Sequence, residues 1–192
     1  MNNLHQLSNG RMISKLYANL CGMIMFSWIC LFSSLKYPHF TVLASLFSTG
    51  LYIFLIYYAM WEAGSKMSVS PIKPSDDASL KRAVYIMVCG NAAALGLTFL
   101  YIIFGAMTQA GAITAESALA NFNPGIPLQI IQPMFVGFEN IVFGFADLPR
   151  ALYFLFCISA VIAVGTVGYM LGVRGDSISK RLGIKWPEKK SK

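Results

Sequence analysis

Acidic residues are scarce in this chain, with eight Asp and Glu against fifteen Lys and Arg, and histidine is scarcer still, with two. General acid–base catalysis needs clustered carboxylates or imidazoles, yet His5 and His39 have neither an acid nor a nucleophile at motif spacing. The H-E-x-x-H, G-x-S-x-G, P-loop and dinucleotide fingerprints do not occur. Cys21, Cys30, Cys89 and Cys157 form no C-x2-C pair, and all four lie in apolar stretches, where a thiol serves as a small apolar group. The expectation is a chain with no cofactor, no metal and no enzymatic activity.

Charge as a whole is also sparse: 12% of residues against roughly 25% in a soluble domain, beside 56% hydrophobic residues. The charge-free runs are long enough for helices that cross about 30 Å of hydrocarbon, which takes about 20 residues. They place spans at 16–35, 39–61, 83–107 and 151–173 in a single membrane domain, 1–192, with a loop at 108–150 and a tail at 174–192. Thirteen of the fifteen Lys and Arg fall on the side of the two termini and the second loop, and only Lys36 and Arg150 on the other. Short basic loops resist translocation, so both termini are expected in the cytoplasm. The first span exceeds the 7 to 15 residues of a signal h-region and reads as a retained anchor.

A fifth apolar region, 117–138, contains Pro124, Pro127 and Pro133 with Asn121, Asn123, Gln129 and Gln132. A lipid-facing helix tolerates few such breaks, and a fifth crossing would put the basic tail outside. The expected fold is therefore all-α: a polytopic membrane protein of four transmembrane helices. An apolar external segment, interfacial or re-entrant, joins helices 3 and 4.

Within the third span, Asn91 is the one amide deep in a run, a candidate for interhelical bonding or for a polar pathway. Gly90 and Gly96 beside it, and Gly165, Gly168 and Gly172 in the fourth span, are candidates for close helix packing, either within the chain or between copies. Asp76 and Asp77 lie before the third span, where Asp77 or Ser79 is expected to cap the helix. Outside, Glu139, Asp147 and Arg150 are polar candidates for a cation or basic ligand, and an Asp147–Arg150 pair across one turn is the simpler reading. In the tail, Lys180, Arg181 and Lys185 with Trp186 fit contact with anionic headgroups. The expected partners are the lipid bilayer and either another protein or a second copy of the chain; a net charge of +7 set out as topology signals does not call for nucleic acid.

Two segments carry a resemblance: Tyr57-Tyr58-Ala-Met-Trp61-Glu-Ala-Gly64-Ser-Lys66 with Asp76-Asp77 and Leu80-Lys81, and Gly168-Tyr169-Met-Leu171-Gly172-Val-Arg174-Gly175-Asp-Ser177-Ile178 before a Lys-rich end. They resemble uncharacterised four-span membrane proteins of Gram-positive bacteria. This chain departs from their pattern in having Met67-Ser68 and Ala83-Val84 where such proteins often have a charge and a Gly-rich start. The resemblance implies a bacterial plasma membrane and brings no activity with it. The ending Lys189-Lys190-Ser191-Lys192 resembles a dilysine retrieval signal and keeps the endoplasmic reticulum as the alternative, while the external loop carries no N-x-S/T sequon. Function classes rank as accessory or scaffold subunit first, component of an oligomeric channel or small-molecule transporter second, and membrane enzyme last. The basis is the absence of membrane-depth charge, which coupled transport usually needs.

Overall fold

The computed structural model describes residues 8–34, 38–69, 75–112, 123–137 and 147–175, and everything regular among them is helical. The elements are α1 (Asn9–Ser34), α2 (Pro38–Ser68), α3 (Asp76–Gly90), α4 (Ala92–Gln109), the short α5 (Gly125–Ile131), a 3-10 turn (Pro133–Phe135) and α6 (Asp147–Val173). Four of them are long and apolar enough to cross a membrane: α1, α2, α4 and α6. Their outer faces carry Met25, Ile29, Phe47, Phe54, Ile103 and Phe156, all well exposed, whereas Ser27, Ser45, Ser48, Thr98 and Gln132 are buried. A water-soluble protein rarely exposes contiguous apolar surface of that extent. Lipid is the solvent for which this distribution is stable.

Helices α1 and α2 extend beyond the charge-free runs. Ser8 opens α1, its hydroxyl accepting from Arg11 N–H at 3.4 Å, so Arg11 and Lys15 lie on the helix rather than ahead of it. Similarly α2 runs on through Glu62 and Lys66 to Ser68. A helix keeps its backbone bonds satisfied in any solvent, so nothing ends it where the hydrocarbon stops. The cap of α3 is neither Asp77 nor Ser79 but Ser75, whose hydroxyl accepts from Ala78 N–H at 3.4 Å. Ser79 is instead fully buried, one turn along.

The third passage, expected as one helix over 83–107, is two helices. Asn91 interrupts them with φ −111° and ψ 13°. Its amide donates to Met87 O at 2.9 Å, the competition with backbone bonding that makes Asn a poor helix-interior residue. The break leaves few orphan groups, because Asn91 N–H reaches Met87 O and Val88 O while Leu95 N–H bonds Asn91 O at 2.9 Å. The Tyr17 hydroxyl on α1 donates to Cys89 O at 3.1 Å, so this carbonyl has a partner at the opening.

In the bundle α6 lies against α2, α3 and α4, and α1 against α2 and α3. Glycine permits close approach at several interfaces. A Cβ on Gly172 would stand 2.3 Å from Trp61 O, one on Gly168 2.8 Å from Tyr57 O, and one on Gly64 would clash with the Tyr169 carbonyl. The backbones of α2 and α6 thus touch along two turns, the contact that small residues permit where lipid supplies no hydrophobic drive between helices. On α1, Leu16 covers Gly90. The core that results holds Tyr52, Ile56, Met60, Ile86, Met87, Phe154 and Tyr169, all essentially inaccessible.

Apart from Asp147 and Arg150 at the start of α6, the charges of the described residues gather at one end. Glu62 on α2 binds Lys15 of α1 and, at 2.7 Å, Lys66 one turn along its own helix. Arg82 Nε donates to Asn9 Oδ1 at 2.9 Å, and Arg174 meets Asp76 at 3.5 Å. This end holds the start of α1 and α3 and the finish of α2 and α6. The inserted segment lies toward the other.

Candidate functional site: an inserted apolar segment

Residues 123–137 form the part of the molecule least like a membrane helix. Asn123 Oδ1 accepts from Gly125 N–H at 2.8 Å, an Asx-type turn that starts α5 behind Pro124. Gly125 is required there: a Cβ would stand 2.6 Å from the Tyr101 ring of α4. After seven residues α5 stops at Gln132, with φ −122° and ψ 50°. The cause lies in the next residue, because Pro133 disfavours helical geometry in its predecessor and has no N–H to continue the ladder. The 3-10 turn then carries Met134 and Phe135 into the core, where Leu128 and Met134 are fully buried. The described part of the expected apolar segment, 123–137, is thus packed between the helices: α5 rests on α4, and the 3-10 turn on α1 and α2.

Broken helix at membrane depth requires partners for its freed backbone groups. Side chains of three helices provide them. Trp28 Nε1 of α1 donates to Ile130 O at 3.3 Å, Thr49 Oγ1 of α2 to Met134 O at 2.9 Å, and Tyr153 Oη of α6 to Phe135 O at 3.3 Å. In the opposite sense, Gly137 N–H donates to Ser45 Oγ at 3.0 Å. Trp28 lies six residues before the end of α1, Thr49 eleven after the start of α2 and Tyr153 six after the start of α6. At 1.5 Å per residue the segment therefore dips roughly 9 to 16 Å along the helices.

The buried faces of the helices change to suit it. Along α1 the buried side chains run Met12, Leu16, Leu20, Met23, Ser27 and Leu31; along α2 they run Met67, Ala63, Met60, Ala59, Ile56, Tyr52 and then Ser48 and Ser45. On α2 small hydroxyl residues replace large apolar ones at the depth of the segment, and on α1 Ser27 does so for one turn before Leu31. A Cβ on Gly137 would overlap Ser45 and stand 2.8 Å from Thr41 O, which shows how closely the two backbones approach. The side-chain amide of Gln132 and the hydroxyls of Ser27 and Ser48 are buried without a hydrogen-bond partner among the described residues. These are neutral donors and acceptors, suited to hydrogen bonding rather than to proton abstraction or charge binding. Among the described residues no group of three His, Cys, Asp or Glu is placed to hold a metal.

Of the residues singled out in the sequence, Asn91 is buried, and its amide bonds its own helix rather than a neighbour. Gly90 packs on Leu16, Gly165 on Met87 and Ile56, and Gly168 and Gly172 on α2. Gly96 is exposed, and a Cβ there meets nothing within 4 Å, so it makes no helix contact inside the chain. Arg150 is half-buried in the first turn of α6. Asp147 starts that helix, but its side chain, like all of Glu139, Lys180, Arg181, Lys185 and Trp186, lies outside the described residues, and with them the Asp147–Arg150 pair. Sequence reasoning missed Gly64 as the partner of Gly168 and Gly172. It also missed Ser45, Ser48 and Thr49, whose i, i+3, i+4 spacing marks one face of an otherwise apolar span, and the Lys15–Glu62–Lys66 group.

Compared with known protein families, curated proteins and solved structures, the chain matches none.

Proposed function

We propose that this protein is an accessory or scaffold subunit of a membrane assembly, acting through its helix faces and its contacts with the membrane surface. The observation that carries the reading is the closed interior. Leu128, Met134 and Phe135 of the inserted segment fill the bundle between α1, α2 and α4, and Tyr52 and Phe154 are buried in the same core. A segment held by three helices serves to rigidify the outward faces, which carry large apolar side chains suited to a neighbouring helix as well as to lipid. The bacterial plasma membrane, with both termini cytoplasmic, is the setting favoured by the lysine and arginine distribution and by the Gram-positive resemblance.

A tagged chain purified in nanodiscs, with its co-purifying proteins identified and the native mass of the complex measured, tests this reading. The expected result is a stoichiometric complex with another membrane protein. A homo-oligomer lacking any partner and passing small solutes in liposome flux assays overturns it. That outcome would favour the second reading, an oligomeric channel or small-molecule transporter, for which the neutral polar groups Ser27, Ser48 and Gln132 speak.

A further inference from the structure

At the charged end, a pocket of about 20 Å³ opens between α1 and α2. Its rim is Lys15, Glu62 and Lys66, and its floor includes Met12, Leu16 and Met60. Glu62 holds one ammonium on each carboxylate oxygen, Lys15 on Oε2 and Lys66 on Oε1. The group carries a net charge of +1. Each ammonium has three donors and spends one on Glu62, and both lysine side chains remain about half exposed, at 47% and 54%.

We propose that Lys15 and Lys66, spaced by Glu62, bind the phosphate of an anionic phospholipid. Four observations converge on that ligand. The lysines come from different helices and are fixed on one carboxylate, so one phosphate group can reach both. The pocket has an apolar floor and room for little more than one water, so the lysines present their free donors at its mouth, where a headgroup phosphate reaches them while the glycerol and acyl stem stays in the surrounding lipid, and basic sites between membrane helices are suited to such headgroups. Along α2 the rings of Phe54, Tyr58 and Trp61 follow one another at 6.3 and 6.1 Å up to Glu62. Aromatic side chains of this kind favour the membrane–water interface, which puts the pocket at headgroup level. Lastly, Lys66 lies two residues before the end of α2, while Lys15 lies six after the start of α1, so both approach the bilayer from the same side. The site is independent of the protein partner proposed above.

Glu62 makes the proposal falsifiable, because it competes with phosphate for both ammonium groups. The full-length chain in mild detergent is titrated with dioleoyl phosphatidylglycerol or dioleoyl phosphatidylcholine, reading thermal stability and lipid adducts by native mass spectrometry. Phosphatidylglycerol is expected to bind and stabilise, and phosphatidylcholine to do neither. K15Q/K66Q should weaken phosphatidylglycerol binding by roughly tenfold or more, with K66R restoring what K66Q loses. E62Q should strengthen that binding several-fold even if the free protein melts lower. If the double variant does not fold, the single K66Q carries the test, since Lys66 is exposed. Equal response to both lipids, selectivity unchanged or weakened in E62Q, or selectivity that follows tail variants such as K180Q/K185Q would each overturn the site. Sodium phosphate at matched ionic strength separates the sources: saturation by it as effective as by lipid would mean a soluble anion and overturn the lipid assignment.

Discussion

Two places in this molecule bring backbones into contact, and they do so by different chemistry. Between α2 and α6 both partners are regular helices, their N–H and C=O groups already paired, so glycine alone suffices. Gly64, Gly168 and Gly172 remove the side chains that would keep the backbones apart. Where α1, α2 and α6 meet the inserted segment, one partner is broken helix, and space is not enough. Trp28, Thr49, Tyr153 and Ser45 must also supply the hydrogen bonds the segment has lost. Close approach in a bilayer thus takes small residues when the backbone is self-satisfied, and small residues with polar groups when it is not.

The comparison breaks most readily at the glycines. Gly172→Ala puts a Cβ 2.3 Å from the Trp61 carbonyl oxygen and 2.8 Å from Ser65 N, neither of which can yield without moving α2. A loss of about 3 kcal/mol is expected, at the upper end of overpacking costs, read as a drop in reversible unfolding stability in micelles. Gly96→Ala is the contrast: with open space around it, the change should stabilise by about 0.5–1 kcal/mol through helix propensity alone. A smaller effect is expected at the segment. Thr49→Val keeps the shape of the side chain but strands the Met134 carbonyl, at a cost of about 1 kcal/mol and with faster amide exchange over 125–137. Tyr153→Phe and Trp28→Phe, each removing a 3.3 Å bond, should cost about 0.6 kcal/mol. If these exceed Gly172→Ala, the division between packing and hydrogen bonding is wrong. Gln132→Met should be neutral or slightly stabilising, because it removes buried polar atoms that have no described partner; a large loss would reveal an essential polar contact. Asn91→Ala should cost no more than Thr49→Val, about 1 kcal/mol or less, since the amide lost bonds only its own helix.

Much of the architecture was legible in one dimension. The spans, the gathering of basic residues at one end and the unusual character of 117–138 follow from length, charge and proline content. The glycine motif Gly168-x-x-x-Gly172 was visible too, but its partner was not. Whether it met another copy or a helix of the same chain depended on Gly64, more than a hundred residues earlier. The break at Asn91 was hidden because a single amide in an apolar run is compatible with a continuous helix, and the bond from Tyr17 to Cys89 O beside it comes from a helix more than seventy residues away. Glu62 stands just past the second charge-free run, and only the packing of α1 on α2 brings Lys15 to it.

What the sequence by itself determined is which stretches lie in lipid and which end bears the charge, since the cost of placing a charge or an unpaired peptide group in hydrocarbon falls on each segment separately. Only the tertiary structure decided that the proline-broken segment enters the bundle. The groups that make its entry tolerable are far away in the chain: Trp28 reaches Ile130 across 102 residues, Ser45 meets Gly137 across 92 and Thr49 meets Met134 across 85. No local pattern contains those bonds, because they exist only once the helices have packed.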